Sequence, residues 1–224
     1  MATANIDTES SLVAPGGFIA GVDEVGRGAL AGPVVIGVVV IDPRACAQVP
    51  TGLTDSKLLS PKRREGFVPV VQEWAHEWGV GEASPEEIDE LGIMTAMALA
   101  AQRALLTIDT RVDAVLLDGS VNWLARSAAF WAPKVTTKVK ADITCASVSA
   151  AGVLAKVHRD ALMVAASDEM PEYGWAGNKG YGSADHRSAI AEFGASDFHR
   201  LSWRLLPGDE GDEPPEDDQP SLFD

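Results

Sequence analysis

The chain has 224 residues, 46% apolar and 23% charged, an ordinary globular composition with length for one well-buried domain and no obvious second. Its formal charge of −15 argues against a nucleic-acid partner, yet residues 207–224 hold eight acids and no base, and setting those eight aside takes −15 to −7. A body at that charge can still meet a polyanion through a local basic face or through bound cations, so charge excludes neither class of partner. Cys46 and Cys145 stand far apart in no metal-ligand spacing and read as thiols of a reducing compartment.

Residues 1–16 carry no basic n-region and no apolar h-region, so no signal peptide is read there; they read as a loose leader. Phe18–Val22 and Val34–Ile41 read as strands joined by a Gly-rich turn, Gly26 to Pro33. The second is Val/Ile-rich throughout, as in a strand covered on both faces. It is also the most apolar run and is too short to span a bilayer, so a soluble, cytoplasmic protein without a membrane partner is expected.

Pro61–Trp74 reads as a helix capped by Ser60 with proline at its first position. His76–Ala83 reads as a third strand. Ser84-Pro85-Glu86-Glu87 opens a helix running to about Thr107. Val112–Leu117 and Lys134–Val139 are the fourth and fifth strands. Asp142 precedes a long Ala-rich helix reaching about Ala166, and Ser183–Phe193 is a further helix. Strands first, then strand–helix alternation, predicts an α/β architecture with a mixed sheet. Residues 17–206 form the predicted domain, and 207–224 have the composition of a disordered tail.

Acids fall where this architecture puts ligands: Asp23 and Glu24 end the first strand, Asp118 ends the fourth, and Asp142 begins a helix. Carboxylates converging there repel one another, and divalent cations relieve that repulsion. Mg²⁺ takes oxygen ligands from carboxylates, water and phosphate, and two such ions can drive an in-line phosphoryl displacement. Neighbouring strand residues face opposite ways, so Asp23 and Glu24 share a site only if the strand ends or bulges there, which Gly26 and Gly28 would allow. Singly, such acids also serve as turn or helix caps, Asp142 among them.

Six motifs in order carry a resemblance. They are Gly21-Val22-Asp23-Glu24-Val25-Gly26-Arg27-Gly28 with Ala31-Gly32-Pro33; Leu53-Thr54-Asp55-Ser56-Lys57-Leu58; Leu117-Asp118-Gly119; Lys140-Ala141-Asp142; Ser149 through Asp160; and Pro171-Glu172-Tyr173-Gly174-Trp175 with Lys179-Gly180-Tyr181-Gly182-Ser183. Together they resemble ribonuclease HII over roughly residues 17–206.

The resemblance implies a ribonuclease H-like fold, a five-stranded mixed sheet flanked by helices with a C-terminal helical portion. It implies a Mg²⁺ or Mn²⁺ site of two ions on Asp23, Glu24, Asp118 and Asp142. It also implies an endonuclease that cuts 5′ to a ribonucleotide in RNA–DNA hybrids or in duplex DNA, leaving a 3′-hydroxyl and a 5′-phosphate.

By the same carry-over, the Gly26-Arg27-Gly28 backbone would contact the ribose 2′-hydroxyl, and Tyr181 the sugar 3′ to the cut. Lys57 and Lys156 would contact phosphates. Read without the family, Tyr181 is a turn aromatic, Gly26 and Gly28 are turn glycines and Lys156 is a solvated helix residue. His186 and His199 match family positions but suit a structural role better than a hard-metal one. A catalytically silent nucleic-acid binder on the same fold is the alternative, and a monomer is the default expectation. In the tail, Gln219 with Leu222-Phe223 resembles the short peptide by which bacterial repair proteins hold the sliding clamp, with two apolar anchors and one hydrogen-bonding side chain.

Overall fold

A computed structural model describes residues 4–126 and 134–215. Five strands, β1 (Ile19–Val25), β2 (Val34–Ile41), β3 (Glu77–Ala83), β4 (Ala114–Asp118) and β5 (Val135–Lys138), form one sheet in the order β3-β2-β1-β4-β5. The β1–β2 and β2–β3 pairs are antiparallel, whereas β1–β4 and β4–β5 are parallel. The predicted mixed sheet is therefore present. β2 is buried along its whole length, as its unbroken Val/Ile run requires.

The helices are α1 (Asp7–Leu12), α2 (Pro61–Trp74), α3 (Pro85–Leu91), α4 (Ile93–Leu105), α5 (Ala141–Thr144), α6 (Ala146–Glu169), α7 (Trp175–Asn178) and α8 (Ala184–Phe193). One face of the sheet packs on α4, where Ala20, Val22, Ile36 and Val38 meet Ala96, Met97 and Ala100. The other packs on α6 and α2, where Ile19, Val39 and Ile41 join Ala146, Val148, Ala150 and Val71. The alternation of β1 and β2 residues between the two cores is the period of two that strands impose. α6 comes unusually close. A Cβ at Gly37 of β2 would overlap the Ala151 carbonyl, and one at Gly152 of α6 would overlap Asp23 Oδ2.

Three expectations need correction. The segment 1–16 is not a loose leader where it is described: α1 lies within it, and Glu9 is fully buried there. The helix expected from Ser84 to Thr107 is two helices, because Gly92 adopts φ +73° between α3 and α4, a conformation glycine adopts without strain. Its start is as expected: Ser84 Oγ accepts from Glu87 N at 3.2 Å and Glu87 Oε2 from Ser84 N at 2.9 Å. The long helix expected to follow Asp142 is likewise broken, by an extended Cys145.

Residues 207–215 turn back on the body: Arg204 N donates to Asp212 O at 2.7 Å, Asp212 N to Ser202 O at 3.0 Å, and Arg204 pairs with Glu213. The clamp-like residues Gln219, Leu222 and Phe223 lie outside the described residues.

Candidate active site

Parallel strands β1 and β4 end side by side, and their last residues open into a cleft of about 640 Å³. Asp23, Glu24, Gly26, Arg27, Lys57, Asp118, Asp142, Lys156 and Tyr181 all line it. Of the body residues expected to act in the site, Gly28 alone is not in its wall.

Asp23 and Glu24 share the cleft without a bulge between them; of the two arrangements the sequence allowed, it is the strand's ending, on its β4 side, that is seen. β1 stays in register with β2 through Val25↔Val35, while its pairing with β4 stops at Val22↔Leu117. Beyond that point β1 has one open edge. Asp23 follows Ile19 and Gly21 towards α6, and Glu24 lies on the α4 side, where Arg27 pairs with it at 3.7 Å and also reaches Met94. The strand end thus stands between its two carboxylates.

Asp142 is not a helix cap. The capping carboxylate is Asp118, whose Oδ1 accepts from Ala141 N at 2.7 Å and Asp142 N at 3.3 Å. That contact ties the end of β4 to the start of α5 and so sets the two acids side by side.

The electrostatics follow from this crowding. Burial holds the Asp23 carboxyl well above the usual carboxylate range, and Glu24, Asp118 and Asp142 push it the same way, against Lys57. Burial raises Asp118 too, opposed by the backbone N–H groups it accepts from and by Lys57. Asp142 is raised to about 6 by burial, then by Asp118 and Asp55. Burial combined with like charge is what such shifts report, and their convergence in one cleft marks a functional site. Among the described residues no group of three or more His, Cys, Asp or Glu side chains that could by itself hold a metal ion is present. The four carboxylates of the cleft offer the oxygen donors that hard divalent cations favour.

Lys156 is not a solvated helix residue. Its Nζ bonds Asp160 at 2.8 Å and lies 5.9 Å from the centre of the Tyr181 ring. Asp55, passed over in the sequence although its motif was noted, shapes the Lys57 turn by accepting from Lys57 N at 2.8 Å.

Two buried arginines were also missed. Arg159 donates to the carbonyls of Pro33, Ala31 and Lys179 at 2.8–3.0 Å. Arg200 donates to those of Gly26, Arg27 and Gly32. Both are fully buried. Leu30 N and Ala31 N donate to Gly180 O at 2.8 and 3.2 Å, so the Gly-rich loop and the Tyr181 loop form one unit. An arginine three residues from Lys156 on an otherwise Ala-rich helix is the signal that could have revealed Arg159; Arg200 has none.

The sequence model of ribonuclease HII matches residues 20–206. The chain belongs to the ribonuclease HII family. Ribonuclease HII of Streptomyces griseus is 48% identical over 191 residues, covering 84% of this chain and 78% of that one. Among solved structures, the ribonuclease H2 of Pyrococcus horikoshii superposes with TM-score 0.70 at 28% identity, covering 84% of this chain and 94% of that one. The PCNA:RNase HII complex of Archaeoglobus fulgidus contains a chain that superposes with TM-score 0.64 at 24% identity, covering 82% and 92%. The fold is ribonuclease H-like and the protein is a nuclease of the ribonuclease H type. Among the described residues no helix is long and apolar enough to cross a membrane.

His186 and His199 stand outside the cleft wall, in the packing beneath Tyr181. His186 Nδ1 bonds Tyr181 O at 2.8 Å, and Trp175 Nε1 donates to His186 Nε2 at 3.0 Å. His199 Nδ1 accepts from Ser196 N at 3.0 Å, which leaves its Nε2–H to donate to His186 Nε2 at 3.1 Å. This pattern needs both rings neutral. Burial lowers both pKa values, and His186 helps bring His199 to about 4.

The unfolded chain therefore binds more protons than the folded one between about pH 4 and 6.5, so this contribution is complete above 6.5 and is lost on acidification through 4. Urea unfolding at pH 7 and pH 5 should show wild type losing about 2 kcal/mol more over that interval than His199→Gln. Equal losses would show that the pair does not titrate with folding.

Proposed function

We propose that this protein hydrolyses the phosphodiester on the 5′ side of a ribonucleotide in RNA–DNA hybrids and in DNA with embedded ribonucleotides, leaving a 3′-hydroxyl and a 5′-phosphate, and so serves removal of ribonucleotides from DNA. The observation that carries this reading is the meeting of Asp23, Glu24, Asp118 and Asp142 in one cleft with Lys57, Lys156, Arg27 and Tyr181. The four carboxylates would hold two divalent ions, Mg²⁺ or Mn²⁺. When bound, such ions supply an activated water and charge neutralisation at the leaving oxygen.

The chain's own residues do the rest. Lys57 and Lys156 take the phosphates on either side of the scissile bond, contacts that position a duplex without reading its sequence. The backbone of Gly26 and Arg27, with Gly28 completing the turn, meets the ribose 2′-hydroxyl, the group that separates RNA from DNA. Arg200 holds that backbone from behind by the Gly26 and Arg27 carbonyls, and Arg159 holds the same loop further on at Ala31 and Pro33, leaving the face towards the cleft for the sugar. Tyr181, on the loop bonded to the same unit, packs on the next sugar. The buried, raised Asp23 is the acid that cations at this cleft would most relieve.

We also propose that Gln219, Leu222 and Phe223 dock on a sliding clamp, with the acidic tail as tether. The motif supports this, as does the existence of a PCNA complex for the Archaeoglobus RNase HII. Micromolar binding of a Gln219–Asp224 peptide to a bacterial clamp, lost with Leu222→Ala, is expected; no binding at high micromolar peptide would reject it.

The activity is tested on labelled duplex DNA carrying one ribonucleotide. A single cut 5′ to that residue is expected with Mg²⁺ or Mn²⁺, none with EDTA, and none on all-DNA duplex. Asp23→Asn should lower the rate by at least about 10³-fold, equivalent to roughly 4 kcal/mol. Binding of the duplex without cleavage in either metal would instead indicate a silent binder on the same fold.

A further inference from the structure

The amino-terminal arm lies outside the stretch matched by the family, which begins at residue 20, yet it is bonded to three segments that build the cleft. Ala4 N donates to Leu53 O at 3.1 Å, two residues before Asp55. Thr8 Oγ1 accepts from Lys138 Nζ at 2.8 Å, and Lys138 is the β5 residue paired with Asp118. Asn5 brackets the Cys145 break: its N–H donates to Thr144 O at 3.0 Å and its carbonyl accepts from Ala146 N at 2.8 Å. One short segment therefore touches the supports of Lys57, Asp118 and Asp142.

Glu9 is the strongest of these ties. It is fully buried, and its Oε1 accepts from both Ser147 N at 3.0 Å and Ser147 Oγ at 2.9 Å. Ser147 is the second residue of α6, whose own N-cap, Cys145, supplies no side-chain hydrogen bond. A helix N-terminus needs an acceptor, and a carboxylate is the best one. Here it comes from a separate helix 138 residues away in sequence. Burying a carboxylate is costly, so the contact is poorly explained as general stabilisation. What it fixes is the start of α6, and everything the cleft takes from α6 is counted from there. Ser149 Oγ donates to the Asp142 carbonyl, Gly152 lies against Asp23, and Lys156 enters the cleft wall.

We propose that residues 4–12 are a positioning element of the catalytic edge, and that Glu9 is the positioning residue through which the arm sets Asp142 and Asp23 for metal binding. This rests on the reading of those carboxylates as metal ligands.

The test uses the full chain and measures Mn²⁺ binding by calorimetry, beside the Mn²⁺ concentration giving half-maximal cleavage. Glu9→Ala should weaken both by about tenfold, the scale on which groups that orient metal ligands act. Glu9→Gln, which keeps an oxygen for Ser147, should stay within about threefold of wild type. A Glu9→Ala protein that is folded and only less heat-stable, with wild-type Mn²⁺ binding, overturns the proposal and leaves the arm a stability element. If Glu9→Ala does not fold, Ser147→Ala and Thr8→Ala each remove a single bond and decide the matter, a two- to threefold weakening supporting the proposal and no change overturning it. Wild type that binds no Mn²⁺ rejects the metal-site reading, and this proposal with it.

Discussion

The seating of α6 on the sheet is the constraint from which most of the molecule follows. Three glycines permit it, Gly21 and Gly37 on the strands and Gly152 on the helix, and in each place a methyl group would overlap a backbone, side-chain or carboxylate atom. Because the helix lies so low, it presents one stripe to the functional edge. Ser149, Gly152, Lys156, Arg159 and Met163 follow one another at intervals of three and four, the spacing that lines up residues on one helix face. In order they reach the Asp142 carbonyl, Asp23, the cleft wall, the Gly-rich loop and the ground beneath Gly32 and Gly180. A single rigid rod thus carries the separations between carboxylates, basic groups and sugar-contacting backbone.

The edge is electrostatically unbalanced on one side and closely balanced on the other. Asp23, Asp118 and Asp142 are all driven towards the protonated form by burial, and Asp23 and Asp142 also by their neighbours, with Lys57 the cation opposing each of them. That is a poor arrangement for stability and a good one for recruiting cations. Beside it, Arg159 and Arg200 are buried and donate to carbonyl oxygens of the surrounding loops. Their planar forks satisfy carbonyls of these loops, and a buried carbonyl left unpaired costs roughly 1–3 kcal/mol. The loop gains rigidity while its cleft-facing side stays free of added negative charge.

Much of this was legible in the sequence because it is local. β2 declares itself by its unbroken Val/Ile run, α3 by Ser84, Pro85 and Glu87, and the four carboxylates by motifs at strand ends and a helix start. The parts that escaped notice depend on contacts across the fold. α1 is a short polar segment, Asp7-Thr8-Glu9-Ser10-Ser11-Leu12, with no periodicity to reveal it; it is held by Glu9 reaching Ser147. The break at Cys145 lies where Asn5 bridges the chain, a partner far away in sequence. Asp142 has the look of a cap, but Asp118 accepts the N–H groups that a cap would take. Arg200 sits among loop residues, where nothing distinguishes a buried guanidinium from a solvated one.

On the proposed function, this seating of α6 helps to bring Asp23, Glu24, Asp118 and Asp142 together as a site for divalent cations. Diffraction from crystals grown with Mn²⁺, recorded near the manganese absorption edge, tests it most directly. Anomalous peaks are expected among these four carboxylates, at about the 2.0–2.2 Å carboxylate distances of small hard cations. Ordered carboxylates with no peak between them at saturating Mn²⁺, or manganese held only elsewhere on the surface, would contradict it.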